Sequence, residues 1–220
     1  MHFGHPTEDF LTSLGFRFGP PGALAGLPEG FTYSKLLERH HRLKCRELVG
    51  ESAFGPILEG VVSQLLLGTF KYDAINNVRI EDEGTGGDYD VLAFAAPHLL
   101  YVECKSGKTL GFKNTLERHD FLRPALTLIL HDVTKQTLEE HSVKEVQREL
   151  TERARAKDSN VAKVPGYAYP MHRVSDSNRS YALYNTRRNM FIASGEDLEH
   201  AVRMTLRHFH QVVQQTSYWS

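Results

Sequence analysis

Two short apolar strands joined by a Pro-His bend, with acids at their open ends, constrain this chain more than any other stretch. Residues 86–106 read GGDYDVLAFAAPHLLYVECKS. A strand over 88–95 would put Asp90, Leu92 and Phe94 on one face, with Tyr89, Val91 and Ala93 on the other. Pro97 and His98 form the bend. A second strand over 99–105 is rich in Leu, Tyr and Val, the composition of a core strand. Glu103 and Lys105 stand two positions apart on it, so they share a face about 7 Å from Cα to Cα. Closing the hairpin brings Asp90 beside Glu103. Two carboxylates and one ammonium then converge where a buried strand pair meets solvent.

That arrangement suits divalent-metal hydrolysis of a phosphodiester. The carboxylates of Asp90 and Glu103, with the backbone carbonyl of Cys104 between Glu103 and Lys105, form a hard oxygen set suited to Mg²⁺ or Mn²⁺. Such a cation polarises a scissile phosphate and lowers the pKa of a bound water. Lys105 can orient that water or stabilise charge developing on the phosphorus centre. The same residues would also serve as a salt-bridged surface hairpin, so the surroundings of the triple matter.

One of those surroundings is an upstream helix. Pro56 opens ILEGVVSQLLLG, and Gly68 is expected to close it. Ile57, Leu58, Val61, Val62, Leu65 and Leu66 make a broad apolar stripe with Glu59 at its edge. An acid so near a core face is costly unless it is paired or shares a metal.

These residues resemble a known family. DYDVLAF followed by LLYVECKSG is similar to motifs II and III of the PD-(D/E)xK nuclease superfamily, the restriction-endonuclease-like fold. Asp90 matches the family's aspartate, Glu103 its second acid and Lys105 its lysine; Glu59 matches the acid of its first core helix. Tyr89 stands where the motif's name has proline. Asp90 is preferred to Asp88 because Val91 and Leu92 carry it directly into the strand. The resemblance implies an α/β fold with a mixed central sheet flanked by helices, Mg²⁺ or Mn²⁺ as cofactor, and a nucleic-acid substrate, DNA ahead of RNA. A homodimer that cuts two strands is a further implication. LYVECKSG also resembles the nuclease domains of CRISPR ancillary effectors switched on by cyclic oligoadenylates, although the first 50 or so residues are too short for a Rossmann-like sensor. Defence against foreign DNA, restriction, repair and transposition all remain open as roles, as does a catalytically degenerate subunit that binds nucleic acid or a protein.

The 220 residues are expected to form an N-terminal helical and loop extension, 1–54, and a nuclease-like domain, 55–220. The net charge of −1 excludes a global basic field, so local cations must hold a polyanion. Lys108, Lys113 and Arg118 after the hairpin are candidates for phosphate contact, as are Arg187 and Arg188 at a later turn. Lys35, Arg39, Arg42, Lys44 and Arg46 form a basic face on a helix expected over 35–49, capped by Ser34, with Leu36, Leu37, Leu43 and Leu48 inward. The twelve histidines lack the Cys/His spacing of a zinc site. Two cysteines, no apolar run of membrane-spanning length and no signal-peptide pattern at the N-terminus point to a reducing, cytoplasmic setting.

The remaining elements read more simply. Thr7 would cap a helix over 8–14, and the Gly/Pro-rich residues 16–31 would form loop. Residues 70–81 are extended, with a turn or bulge at Asn76-Asn77. A helix ends before Pro124, and 125–131 is a buried strand. Thr137 is expected to cap a helix to 157, followed by a short strand near 167–172. YALYN and NMFIAS form two more strands, and Ser194 with Asp197 would start a last amphipathic helix.

Overall fold

Local capping decides how the N-terminal half folds. The structure, a computed structural model, describes Thr12 and residues 25–80, 87–95, 98–107, 112–157, 172–176, 181–185 and 189–217. Of the helix expected over 8–14, Thr12 is described and is helical, and the rest lies outside the described residues. Thr32 rather than Ser34 opens the first helical segment: its Oγ1 accepts from the Lys35 amide at 3.3 Å, whereas Ser34 already has helical backbone angles. The helix expected over 35–49 comes in two pieces, a 3-10 turn Lys35–Leu37 and helix α1, Arg39–Val49. Between them Glu38 is extended and bridges Asp197, and that pairing interrupts the helix.

Gly50, at φ 84°, turns the chain straight into helix α2, Glu51–Leu65. Few side chains tolerate that angle. Pro56 thus sits in the second turn rather than at the start. It is exposed, as is Ser52, so water can satisfy the carbonyl that its missing N–H leaves free. Gly68 does not stop the helix either. A π-helical turn, Leu66–Phe70, carries it on until Lys71 adopts left-handed angles at φ 61°. The expected boundary at 54/55 therefore falls inside α2. Leu36 and Cys45 belong to the same apolar cluster as α2, so residues 35–54 pack as part of the main body.

Seven strands follow: β1 Asp73–Ile80, β2 Gly87–Ala95, β3 His98–Lys105, β4 Leu126–His131, β5 His172–Asp176, β6 Tyr181–Asn185 and β7 Met190–Ser194. They form one mixed sheet in the order β1-β2-β3-β4-β7-β6-β5. β1, β2 and β3 pair antiparallel, β3, β4 and β7 pair parallel, and β7, β6 and β5 pair antiparallel again. Helix α3, Phe112–Leu122, makes the crossover from β3 to β4, as a parallel pair requires. It ends where Arg123 turns left-handed before Pro124. Helix α4, Val143–Lys157, continues from a helical turn Lys135–Thr137 and a π turn Leu138–Ser142. Its cap is Thr134, not Thr137: the Thr134 hydroxyl accepts from the Thr137 amide at 3.2 Å. Helix α5, Leu198–Ser217, is capped by Asp197, whose Oδ1 accepts from the His200 amide at 2.9 Å, while Ser194 stays in β7.

Alternation on the strands builds two apolar layers. Leu126, Leu128 and Leu130 of β4 face a cluster with α2 and α5, while Ile129 faces Leu116 of α3 and Val146 of α4. The sheet is thus covered by helices on both faces, an α/β fold. The segment Glu51–Phe70 has the length and apolarity to cross a membrane, and half of it is buried inside the fold.

Helix α1 departs most from expectation. Leu48 is 65% exposed, while Arg42 is fully buried. The Arg42 guanidinium donates to Asp132 at 3.1 Å and to the carbonyls of Leu36 and Leu37 at 2.7 and 2.6 Å. Arg46 donates to the Ser106 carbonyl at 2.6 Å, and the Arg39 amide to that of Glu196 at 3.2 Å. Three residues of the supposed phosphate-contacting face instead tie α1 across the carboxyl ends of β3, β4 and β7.

Candidate active site

Glu103 is fully buried at the end of β3. A bare buried carboxylate would be costly, and this one is surrounded by donors. The Tyr101 hydroxyl, two positions earlier on the same strand face, donates to Oε2. Thr115 Oγ1 donates to Oε1 at 3.1 Å. Arg118 Nη1 lies 3.3 Å from each oxygen, and Lys105 Nζ forms an ion pair with Oε1. Thr115 and Arg118 are three apart on α3, so one helical face brings both to the strand end. Burial, then the charge of Glu103, pushes the Tyr101 phenol well above its ordinary range, so it remains a donor.

Asp90 occupies the facing position. The last register pair of β2 and β3 is Val91↔Val102, and one step further stand Asp90 and Glu103. Here Asp90 Oδ2 accepts from the Cys104 amide at 2.7 Å. Strand alternation breaks at this residue. Val91 belongs to the α2-facing cluster, but Tyr89 lies in the cluster of Leu92 and Tyr101, its ring 5.2 Å from that of Tyr101, edge to face. The expectation that Tyr89 shares a face with Val91 and Ala93 is thereby corrected. Across the ladder, Asn77 has φ 51°, between the pairs Asn76↔Val91 and Val78↔Tyr89. The turn or bulge expected at Asn76-Asn77 is therefore a kink opposite Asp90, with the register kept on both sides.

Glu59 comes from α2 and feels the same charges. Burial, then Glu103 and Asp88, raises its carboxyl to about 7, against the opposing pull of Lys105 and Arg118. Asp90 is raised well above the usual carboxylate range by burial, then by Glu103 and Glu59. The Cys104 thiol, pushed up by burial and then by Asp90, Glu59 and Glu103, stays neutral and inert. Glu59, Asp90 and Glu103 thus share one negative field beside one ammonium and one guanidinium.

The three acids do not close on one another as a compact ligand cage. Among the described residues, Glu38, His40 and His41 are the set of three whose donor atoms all lie within 4.8 Å. Glu103 is drawn aside by Lys105, Arg118 and Thr115. The donor chemistry nonetheless fits Mg²⁺ or Mn²⁺. All donors are oxygens, and Mg²⁺ uses one or two carboxylates and keeps several waters. Asp90 and Glu103, with the Cys104 carbonyl, could bind such an ion directly, and Glu59 through water.

Of the expected phosphate contacts, Arg118 points its guanidinium at Glu103. Lys108, Arg187 and Arg188, and the side chain of Lys113, lie outside the described residues. Tyr101 and Thr115 were not anticipated. Tyr101 had a signal, since it lies two positions before Glu103 and therefore on its face. Thr115 had none, because only the packing of α3 on β3 brings it there.

No protein-family model matches the chain, and no curated protein matches it. Among solved structures it is similar to protein VC1899 from Vibrio cholerae, at 11% identity and a TM-score of 0.34, over 76% of this chain and 35% of that one. The chain thus spans about a third of the length of that protein.

Proposed function

We propose that this chain is a divalent-cation-dependent nuclease hydrolysing phosphodiester bonds, with its centre at Asp90, Glu103, Lys105 and Glu59. The observation that carries the reading is the meeting of acids and ammonium at the strand ends, where Asp90 accepts from the Cys104 amide and Glu103 pairs with Lys105, with Glu59 and Asp90 each raised by burial and then by Glu103. Partly buried carboxyls raised by a shared acidic neighbour are a site short of positive charge. Mg²⁺ or Mn²⁺, when bound, would polarise the phosphate and activate water. Asp90 and Glu103 offer oxygens to the ion, and the Asp90 carboxylate is aimed by the Cys104 amide. Lys105, paired with Glu103 yet 22% exposed at its side chain, can reach an attacking water. Arg118 adds a second cation against charge developing on the phosphate. The resemblance to the PD-(D/E)xK superfamily supports the same assignment and adds a DNA substrate, a homodimer, a cytoplasmic setting and a role in defence.

Incubation with plasmid, single-stranded DNA and RNA in Mg²⁺, Mn²⁺ or EDTA tests the reading. Cleavage requires the cation and falls about 100-fold or more in Lys105→Ala. Cleavage that survives this substitution overturns the assignment. A second reading, a silent subunit that binds nucleic acid, is favoured by the four donors already committed to Glu103; binding without metal-dependent cleavage would select it.

A further inference from the structure

Helix α5 carries a second feature, on the far flank of the sheet. His200, Arg203, Met204, Arg207, His208 and Gln211 fall at i, i+3, i+4, i+7, i+8 and i+11, one continuous face. This face is distinct from the apolar stripe of Leu198, Ala201, Val202, Leu206 and Phe209 that packs on the sheet. Together with Val174 of β5, these residues line a cavity of about 260 Å³. β5 is an edge strand four positions from β3 in the sheet order, about 20 Å at the usual strand spacing, so the cavity is separate from the Glu103 centre.

Among the described residues the lining contains two guanidiniums, two imidazoles and an amide, and no carboxylate. Glu199, the acid closest in sequence to this face, pairs with Arg203 at 2.5 Å. Arg203 also rests over the Phe70 ring, 5.1 Å from its centroid, which fixes the direction of its guanidinium. Arg207 is exposed, and no ion pair engages it among the described residues. In a chain of net charge −1, this is a local concentration of positive charge with a built concavity. Val174 and Met204 add an apolar wall beside the cations. An anionic group held by arginines, next to an apolar surface on which a flat ring can lie, is the recognition chemistry of a nucleotide.

We infer that the groove between α5 and β5 binds a nucleotide phosphate, with Arg203 and Arg207 on the phosphate oxygens and the base against Val174 and Met204. The phosphate can come from a free nucleotide or from a nucleic-acid strand, and the chemistry at the groove is the same. The inference stands whether or not the Glu103 centre is catalytic.

Titration with AMP and with fluorescein-labelled dT10, in EDTA to prevent cleavage, separates the two sources. Binding of either probe that weakens at least tenfold in the double variant Arg203→Ala/Arg207→Ala and persists in Lys105→Ala establishes the groove. AMP binding identifies a free nucleotide, whereas dT10 binding alone identifies a strand. Both substitutions lie at exposed positions, so the folded state is retained, and circular dichroism checks this. No binding of either probe at millimolar concentration, or binding indifferent to the double substitution, overturns the inference.

Discussion

Arg42 and Asp132, ninety positions apart, meet at 3.1 Å with neither side chain exposed. Burial lowers the pKa of the guanidinium while Asp132 raises it. Removing one partner strands the other charge in the interior, which costs about 3–5 kcal/mol. Asp132→Ala is therefore expected to shift the urea midpoint strongly downward. Arg42→Met also frees the carbonyls of Leu36 and Leu37. Restoring the midpoint with the double variant Arg42→Met/Asp132→Leu would then be incomplete. Full restoration would show that these two carbonyls find water instead.

Tyr101 and Glu103 offer a test of how far the buried carboxylate is prepared for a cation. Tyr101→Phe removes one donor without changing volume much. Groups that orient a metal-binding carboxylate typically matter by about 10–100-fold in metal affinity or activity. Titration of Mn²⁺ followed by thermal shift is expected to give about tenfold weaker binding in the variant. If Glu103 is only structural, Tyr101→Phe lowers stability by about 1–3 kcal/mol and leaves Mn²⁺ binding untouched.

The hairpin was legible because strands announce themselves by composition, and its register follows from the length of the bend. Asp90 and Glu103 therefore stand one step beyond the last register pair, Val91↔Val102. The strands β4, β6 and β7 were readable for the same reason. Helix α1 was not, since arginines share its inward side and find their partners in distant loops after β3 and β4. Periodicity treats a charged residue as exposed, and here a buried acid inverts that rule. Nor could the spacing reveal the break at Asp90. It depends on a side chain taking a backbone amide and on Asn77 across the ladder.

Gly195 makes a sharper prediction about the same strand ends. Its amide donates to the His131 carbonyl at 2.8 Å, and a Cβ built there would lie 3.0 Å from Asp132 Cα and 3.1 Å from His131 O. Both neighbours are backbone, held between β3 and β7 by the parallel ladder, so neither yields easily. Gly195→Ala is expected to cost about 1–3 kcal/mol, the usual price of overpacking. Gly26→Ala, where nothing lies within 4 Å, serves as the comparison and should leave the urea midpoint unchanged.

Glu59 links the site to stability through pH. Its carboxyl is raised to about 7 in the folded chain, against an ordinary value about 2.5 lower. A raised acid holds a proton that the unfolded chain has lost, so its contribution is full below pH 4.5 and disappears as pH rises through 7. Between pH 6.5 and 8.5 this amounts to about 1 kcal/mol, or about 2–4 °C in melting temperature for a chain of this size. His131 and His208, both lowered chiefly by burial, act in the opposite sense as pH falls through 6.5. They are common to the wild type and Glu59→Gln, so the difference between the two reports Glu59 together with its charge effect on Asp90. The wild type in EDTA is expected to lose stability relative to Glu59→Gln over that window. Addition of Mn²⁺ should cancel the loss, because a bound cation favours the ionised carboxyls. Equal pH profiles for the two proteins in EDTA would mean that Glu59 titrates as an ordinary surface acid, and would remove it from the proposed centre.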